Sequence, residues 1–376
     1  MKRKPSLSLM VLLLMFPQIV ETIYSPALSS LASAFMVTES QAAQTLSIYF
    51  VCFAFGVVTW GIVADKLGRR VTMLIGLVIY ALSTVIAYLA TSFELVMFAR
   101  AMSAFGIAVG SVVTQTMLRD AFSGEELAKV FSLMGMGIAI SPTIGMFAGG
   151  QLTFIGGYKS VFAALFVLAL LFVLLATFKL PETQQHRSSI KIGQLVCQMA
   201  GDRAIWKSAL LVAIFNIALF SYYQLGPFAF KAIGLTSREF GYSGVVLGVA
   251  TLFGSYVNRY MLGRNIRSER LILIAAVLLL LGAMGVTVLM DSVWFLLPMT
   301  FVVMAFGIAI PNILSSALSH YKAYAGSAGA VFGLMYYLMI GAGLAISGAS
   351  HHLGMVLLVC GLLAALITTT SIKTNQ

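Results

Sequence analysis

The sequence predicts an all-α polytopic membrane protein with twelve transmembrane helices in two six-helix halves. Three observations carry that expectation. The 376 residues are 60% hydrophobic and only 9% charged, whereas soluble domains carry roughly 25% charged residues. Apolar surface on this scale must face lipid. Apolar runs of about 20 residues, the length that crosses a bilayer, recur along the whole chain. The charges sit in short clusters between those runs, with the basic residues on alternate loops.

The N-terminus has the outline of a secretory leader. Lys2, Arg3 and Lys4 precede an apolar run, and Ala32-Ser33-Ala34 resembles a cleavage site. The run over residues 7–29 is nevertheless long enough to span, and it carries Pro17, Glu21 and Pro26. It is therefore expected to stay as the first span. Five more are expected near 43–63, 71–91, 95–117, 131–152 and 160–179. A polar stretch follows from Pro181 to Lys207. Six further spans are expected near 208–230, 241–261, 270–290, 293–315, 325–347 and 353–371, with Pro298 and Pro311 interrupting the region before 324. The domain organisation expected is a first half over 1–180, a cytoplasmic linker over 181–207 and a second half over 208–376.

Charge tests this map. With the N-terminus in the cytoplasm, 19 Lys and Arg residues fall on cytoplasmic segments. Only Lys159, Lys231 and Arg238 fall outside, and Arg100 falls within a span. A bias of this kind sets membrane orientation, and it places both termini in the cytoplasm of an inner-membrane protein. The net charge of +11 is thus a feature of topology, and no nucleic-acid partner is expected.

Cys52, Cys197 and Cys360 are scattered and read as small packing residues. His351 and His352 fall in a short loop, so no metal site is expected. No Gly-x-x-x-x-Gly-Lys-Ser/Thr loop is present, which argues against ATP as an energy source. Only Glu21 and Arg100 place charge at membrane depth, too little for an embedded enzyme. No cofactor is expected.

The sharpest motif lies between spans 2 and 3: Gly61-Ile-Val-Ala-Asp65-Lys66-Leu-Gly68-Arg69-Arg70. Gly61 and Gly68 permit close approach and a tight turn. Asp65 can cap a helix or pair with an arginine, and the basic pair anchors the loop at the cytoplasmic face. The segment resembles the signature loop of the major facilitator superfamily, Gly-x-x-x-Asp-Arg/Lys-x-Gly-Arg-Arg/Lys. A weaker echo, Gly254-Ser-Tyr-Val-Asn258-Arg259 then Gly263-Arg264, follows span 8. Tyr24-Ser-Pro26-Ala-Leu28, Gln44-Thr45-Leu46-Ser47-Ile-Tyr49 and Leu118-Arg119-Asp120 look like the Bcr/CflA drug-resistance branch.

The resemblance implies the major facilitator fold, a monomer, and export of small amphipathic drugs or antibiotics in exchange for protons. Its partners would be a small-molecule substrate, protons and the bilayer. Export of an endogenous metabolite such as a siderophore is the alternative job on the same fold. Arg100-Ala-Met-Ser103-Ala104-Phe-Gly106 resembles the superfamily's intramembrane Arg-x-x-Gln-Gly-x-Gly, with the Gln and first Gly replaced. Span 5 carries Gly135, Gly137, Ser141-Pro142, Gly145, Gly149 and Gly150. It resembles the antiporter motif Gly-x-x-x-Gly-Pro-x-x-Gly-Gly, with Ser141 in place of the Gly before Pro142.

An arginine at membrane depth needs a partner, and Glu21 is the candidate. Burial disfavours a charged carboxylate and a nearby guanidinium favours it. A group under both influences can carry a proton. The family places its acid four residues before the Pro, where this chain has Thr22; Glu21 comes one residue earlier, a turn of about 100° on a helix. Glu21 and Arg100 are accordingly the proton-coupling candidates. Substrate-cavity candidates are Tyr24, Tyr49, Asn216, Tyr222, Gln224 and Tyr336, with Tyr223 and Asn312 beside them. The 20 methionines offer soft, adaptable walls.

Overall fold

The computed structural model describes residues 4–184, 192–318, 321 and 325–374. Lipid offers no partner for backbone N–H and C=O groups, so spanning segments must satisfy them internally. The chain accordingly folds as a series of long helices: α1 (Leu7–Ile23), α2 (Leu28–Phe35), α3 (Glu39–Leu67), α4 (Arg69–Leu89), α5 (Phe93–Ala121) and α6 (Gly124–Lys179). The short α7 (Ile192–Gly201) precedes α8 (Arg203–Ala232), α9 (Ser237–Gly263), α10 (Ser268–Leu289), α11 (Leu296–Ala317), α12 (Ala325–Ser350) and α13 (Leu353–Thr374). Among the described residues there is no strand.

Local chemistry explains the breaks. Pro26 sits in a 3-10 turn over Ser25–Ala27 that joins α1 to α2 as one bent span. Thr38 and Gln41 form a capping box that starts α3. Ser92 and Asp202 cap α5 and α8 through their side-chain oxygens. The 56 residues of α6 are too many for one crossing, and the helix breaks at Gly156 and Gly157, where Gly157 adopts φ 64°. Among the described residues, ten stretches are long and apolar enough to cross a membrane. The break in α6 divides one of them, and α13 supplies the twelfth span.

Most observed helices contain the expected spans and extend past them, although α4 ends at Leu89 and α10 at Leu289, short of the expected 91 and 290. α3 begins at Glu39 rather than 43, α6 at Gly124 rather than 131, and α8 at Arg203 rather than 208. Hydropathy marks only the apolar part of a helix, and these helices project beyond it. The stretch expected to be a plain polar linker contains α7. Its Leu195 and Met199 are buried, a helical spacing that the surrounding polar residues masked. Lys2, Arg3, Arg187, Lys191 and Lys322 lie outside the described residues.

The helices fall into two bundles of six spans, α1–α6 and α8–α13. In the first, α1 packs on α6 and α5, and α4 packs on α5; in the second, α10 packs on α11 and α13, and α11 packs on α9. Large apolar side chains such as Phe98, Val167, Val249, Leu281 and Ile346 are exposed on the outside, where they suit lipid. The most extensive joints between the bundles are α3 with α12 and α6 with α9.

Both joints rest on glycine. A Cβ on Gly150 would fall 2.7 Å from the Gly241 Cα, and one on Gly244 2.5 Å from Met146. On the other joint, a Cβ on Gly341 would fall 2.5 Å from Val51, and one on Gly348 3.0 Å from the amide nitrogens of Gln224 and Gln44. Small residues let helices in lipid approach closely and gain dispersion contact. The hydrogen bonds that cross between the bundles, among the described residues, cluster at the end away from the basic loops. Ser25 donates to the Tyr223 carbonyl. Gln44 Nε2 donates to the Ala345 carbonyl at 3.0 Å and Gln224 Nε2 to the Ala43 carbonyl at 2.9 Å. The far end is therefore latched shut.

Within the first bundle, Gly137, Gly145 and Gly149 of α6 face α1; a Cβ on Gly145 would fall 2.9 Å from the Ile19 carbonyl oxygen, and one on Gly149 would run into the Ile23 backbone. Gly149→Ala is expected to destabilise by about 1–3 kcal/mol, the range for overpacking. Gly135 meets nothing within 4 Å, so Gly135→Ala should be neutral or slightly stabilising. Thermal unfolding of both variants in one detergent checks the pair.

Candidate functional site

The centre of the molecule is built around Arg100, which α5 carries into the protein interior with 1% of its surface exposed. Its guanidinium carbon lies 3.9 Å from the ring centre of Tyr24 and 4.6 Å from that of Tyr49. The aromatic faces thus supply the negative potential that an isolated buried cation requires. Tyr24 is held by a 2.9 Å hydrogen bond from its hydroxyl to Thr45 Oγ1, which itself donates to the Ala42 carbonyl at 2.7 Å. Arg100 Nε and Nη2 and the hydroxyls of Tyr49 and Tyr80 are enclosed without hydrogen-bond partners.

Glu21 is buried, with 5% of its surface exposed. The expected direct pair with Arg100 does not form: among the described residues no ion pair within 4.0 Å joins them. The two interact at longer range, and the rings of Tyr24 and Tyr49 lie against the guanidinium instead. Glu21 is also within electrostatic range of Tyr49 in its own bundle and of Tyr223, Tyr336 and Tyr337 in the other. It faces the interface between bundles. Thr22 turns elsewhere: its Oγ1 donates to the Gln18 carbonyl at 2.9 Å and abuts Gly145 of α6. The one-residue shift noted in the sequence therefore has a geometric consequence, since Thr22 serves helix packing while Glu21 faces the centre.

The loop after α3 is a second polar assembly. Gly68 turns the chain at φ 97°. Arg69 Nη1 lies 2.5 Å from Asp65 Oδ1, and Arg69 Nε 3.1 Å from Asp120 Oδ2. Asp120, from Leu118-Arg119-Asp120, is therefore the residue that locks the loop onto the end of α5. Arg70 donates to the Thr177 carbonyl at 2.6 Å. Lys66 is exposed, and a Cβ on Gly61 would fall 3.9 Å from Val112, an ordinary contact distance. Glu182, just past α6, accepts from the backbone N–H groups of Arg69 and Arg70 at 3.0 Å each. It thereby caps the start of α4 and ties the chain after α6 to the loop.

Residues 10–344 match the Major Facilitator Superfamily. The chain belongs to that superfamily. An uncharacterized transporter of Rickettsia bellii is 29% identical over 90% of this chain and 88% of its own. A bicyclomycin resistance protein homolog of Haemophilus influenzae is 25% identical over 86% and 83%. Among solved structures, a D-xylose-proton symporter superposes with a TM-score of 0.78 at 16% identity, covering 96% of each chain. The last likeness shows the fold alone. This superfamily member is a transporter and not an enzyme, and it is a polytopic membrane protein.

With the superfamily's two-bundle geometry in view, the remaining candidates sort by position. Ser141 donates to the Gly137 carbonyl at 2.7 Å, one turn back, beside Pro142; this is internal to α6. Asn216 donates to the Val212 carbonyl within α8 at 2.8 Å. Tyr222 bonds Ser243 at 2.5 Å and packs on Phe240 and Phe295 inside the second bundle. Gln224 is fully buried; its Nε2 reaches the carbonyls of Ala43 and Leu344 and Ser47 Oγ, so it latches three helices and does not line a cavity. Asn312 donates to Asn258 at 2.6 Å, joining α11 to the weaker echo motif on α9.

Tyr336 does lie near the centre, with Tyr337 at a ring separation of 4.5 Å. The sequence reading missed Tyr337, Phe50, Phe53 and Phe220. Phe50 meets Phe220 at 4.6 Å and Phe53 meets Tyr337 at 5.0 Å, closing the aromatic lining between the bundles. Adjacent Tyr336-Tyr337 was the available signal, but aromatic residues are too common in membrane helices to stand out.

The cap offers a direct test. Partial burial opposes charge on Glu182, but hydrogen bonds from the backbone N–H groups of Gln184, Arg69, Arg70 and Thr183 outweigh it and hold the carboxyl below its usual range. A lowered carboxylate contributes stability above its ordinary value near ~4.3 and loses it as pH falls through the lowered value. Glu182→Ala is expected to cost about 1 kcal/mol at pH 7, as for a lost N-cap. That difference from the wild type should shrink in unfolding measurements as pH falls through the lowered value.

Proposed function

We propose that the chain is a proton-coupled secondary transporter that exports small amphipathic drugs or antibiotics across the inner membrane by alternating access. One observation carries the reading: Glu21 faces the junction of the bundles, within electrostatic range of Arg100 on one side and of Tyr223, Tyr336 and Tyr337 on the other. A carboxyl so placed answers to both a substrate and the relative position of the bundles. The resistance-protein relative supports drugs as the substrate class. The aromatic lining suits flat, partly apolar molecules.

The excess of basic residues on one set of loops supports a cytoplasmic position for that end and for both termini. The latched far end is then the outer gate. Substrate enters from inside among Tyr49, Phe53, Phe220 and Tyr337. The bundles rock about the glycine joints, and Glu21 takes up a proton from outside as substrate leaves. A proton moving down the membrane potential supplies about 2.3 kcal/mol per 100 mV. Gly137, Gly145 and Gly149 keep α1, which bears Glu21, close to α6, so movement of α6 carries the acid with it.

Reconstituted protein in liposomes with an internal pH dye tests the reading. Antibiotics and dyes are expected to trigger proton flux in the wild type and not in Glu21→Gln, while drug binding to the variant persists. Unchanged, pH-dependent transport by Glu21→Gln would remove Glu21 from the coupling step. Flux with a siderophore alone would move the function to metabolite export.

A further inference from the structure

The basic residues of the latched end are few, and they gather at one place. Lys159 lies just past the break in α6, while Lys231 and Arg238 flank the turn between α8 and α9. These segments meet across the bundle boundary around a cavity of about 330 Å³. Its walls come from both bundles: Ser29, Thr153 and Phe154 from the first, Lys231 and Thr236 from the second. Lys159 follows Tyr158, whose backbone N–H donates to Ser30 Oγ on the same wall at 3.1 Å. Arg238 rests its guanidinium carbon 3.9 Å from the ring centre of Phe154. Among the described residues, none of the three bases forms an ion pair within 4.0 Å. The acid beside them, Glu239, is within electrostatic range of Arg238 and accepts from the Thr236 backbone N–H at 2.8 Å and from the Thr236 hydroxyl.

The wall is short of an acceptor. Thr153 is 8% exposed, and its hydroxyl, the Ser29 hydroxyl and Arg238 Nε are enclosed without hydrogen-bond partners. Buried polar groups are ordinarily paired, and all three of these can donate. Beside the cavity, Phe154 and Ile155 are 49% and 77% exposed and form an apolar rim.

We propose that this pocket binds the phosphate of an anionic phospholipid headgroup. The cavity falls in the size range of small-ligand sites. Lys231 supplies a compact positive charge and Arg238 a fork of N–H groups to the phosphate oxygens. The hydroxyls of Thr153 and Ser29 donate to the same oxygens. The acyl chains run along Phe154 and Ile155 into the bilayer, a surface that free phosphate has no means to use. Lys159, Lys231 and Arg238 outweigh Glu239, so a net-negative headgroup is favoured over a zwitterionic one, whose ammonium the bases repel. The site is whole only while the latched ends meet, because both bundles build it. It requires neither Glu21 nor a drug, and so stands apart from the export reading.

Native mass spectrometry of the full chain in detergent tests the site, with dioleoyl phosphatidylglycerol and dioleoyl phosphatidylcholine titrated separately. Phosphatidylglycerol is expected to bind the wild type more tightly. Lys231→Gln with Arg238→Gln should weaken that binding by roughly fivefold for each base removed, and Lys231→Arg should retain it. Thr153→Val should weaken it by about two- to tenfold, as for one lost hydrogen bond. Thermal unfolding of Thr153→Val without lipid should match the wild type, which separates a lost ligand contact from a damaged fold. Arg264→Gln with Arg267→Gln, at the cytoplasmic end, should leave the tightest phosphatidylglycerol in place, and inorganic phosphate should not displace it. Equal affinity for the two lipids, or phosphatidylglycerol binding that survives loss of Lys231 and Arg238, overturns the proposal. Displacement by inorganic phosphate overturns the lipid as occupant.

Discussion

Helices reach backbone contact only where side chains are missing, and the two bundles of this protein meet at such places. Gly150 and Gly241 bring α6 against α9, and Gly341 and Gly348 bring α12 against α3. In lipid no hydrophobic force drives apolar helices together, so dispersion at close range and interhelical hydrogen bonds must do so. The rest of the architecture depends on that closeness. Gln224 can reach backbone carbonyls on α3 and α12 only because Gly348 leaves room beside it. The aromatic lining closes beneath the latch because α3 already lies against α12.

The same constraint accounts for the dual use of α6. One face carries Gly137, Gly145 and Gly149 against α1, the helix that bears Glu21; another carries Met146 and Gly150 against α9. A single helix therefore connects the central acid to the joint between bundles. Arg100 completes the centre from α5 by resting between two tyrosine rings. Its charge is stabilised without consuming Glu21, which leaves the carboxyl free to take another partner. On the cytoplasmic side the loop arginine Arg69 is held by two aspartates, and Glu182 draws the chain after α6 onto the same point. This assembly ties α3, α4, α5 and the chain after α6 together at one point.

Much of this was legible in the chain itself, for physical reasons. Apolar length and the placement of basic residues are one-dimensional records of a bilayer, so the span count and two-bundle arrangement were readable. The signature loop was readable because its glycine and charge spacing is demanded by one tight turn. What stayed hidden depends on rotation about helix axes. Nothing in the order Glu21-Thr22 says which side chain faces α6. Gln224 and Tyr222 are polar residues on an apolar helix, the same mark a cavity residue would bear, yet one is a latch and the other packs within its bundle. The ring faces beside Arg100 were equally hidden, because sequence order does not say which aromatic side chains lie against a guanidinium.

The central claim is that closure at the outer joint and transport exclude each other in a single state, so the joint must part in every cycle. Cysteines at Ala43 and Gly348 test it, because a Cβ at Gly348 lies 3.2 Å from that of Ala43, within easy reach of a disulfide after slight relaxation. The measurement is drug transport by the doubly substituted protein in liposomes, before and after oxidation. The account predicts that the cross-link stops transport and that reduction restores it. Full transport with the cross-link complete would contradict it.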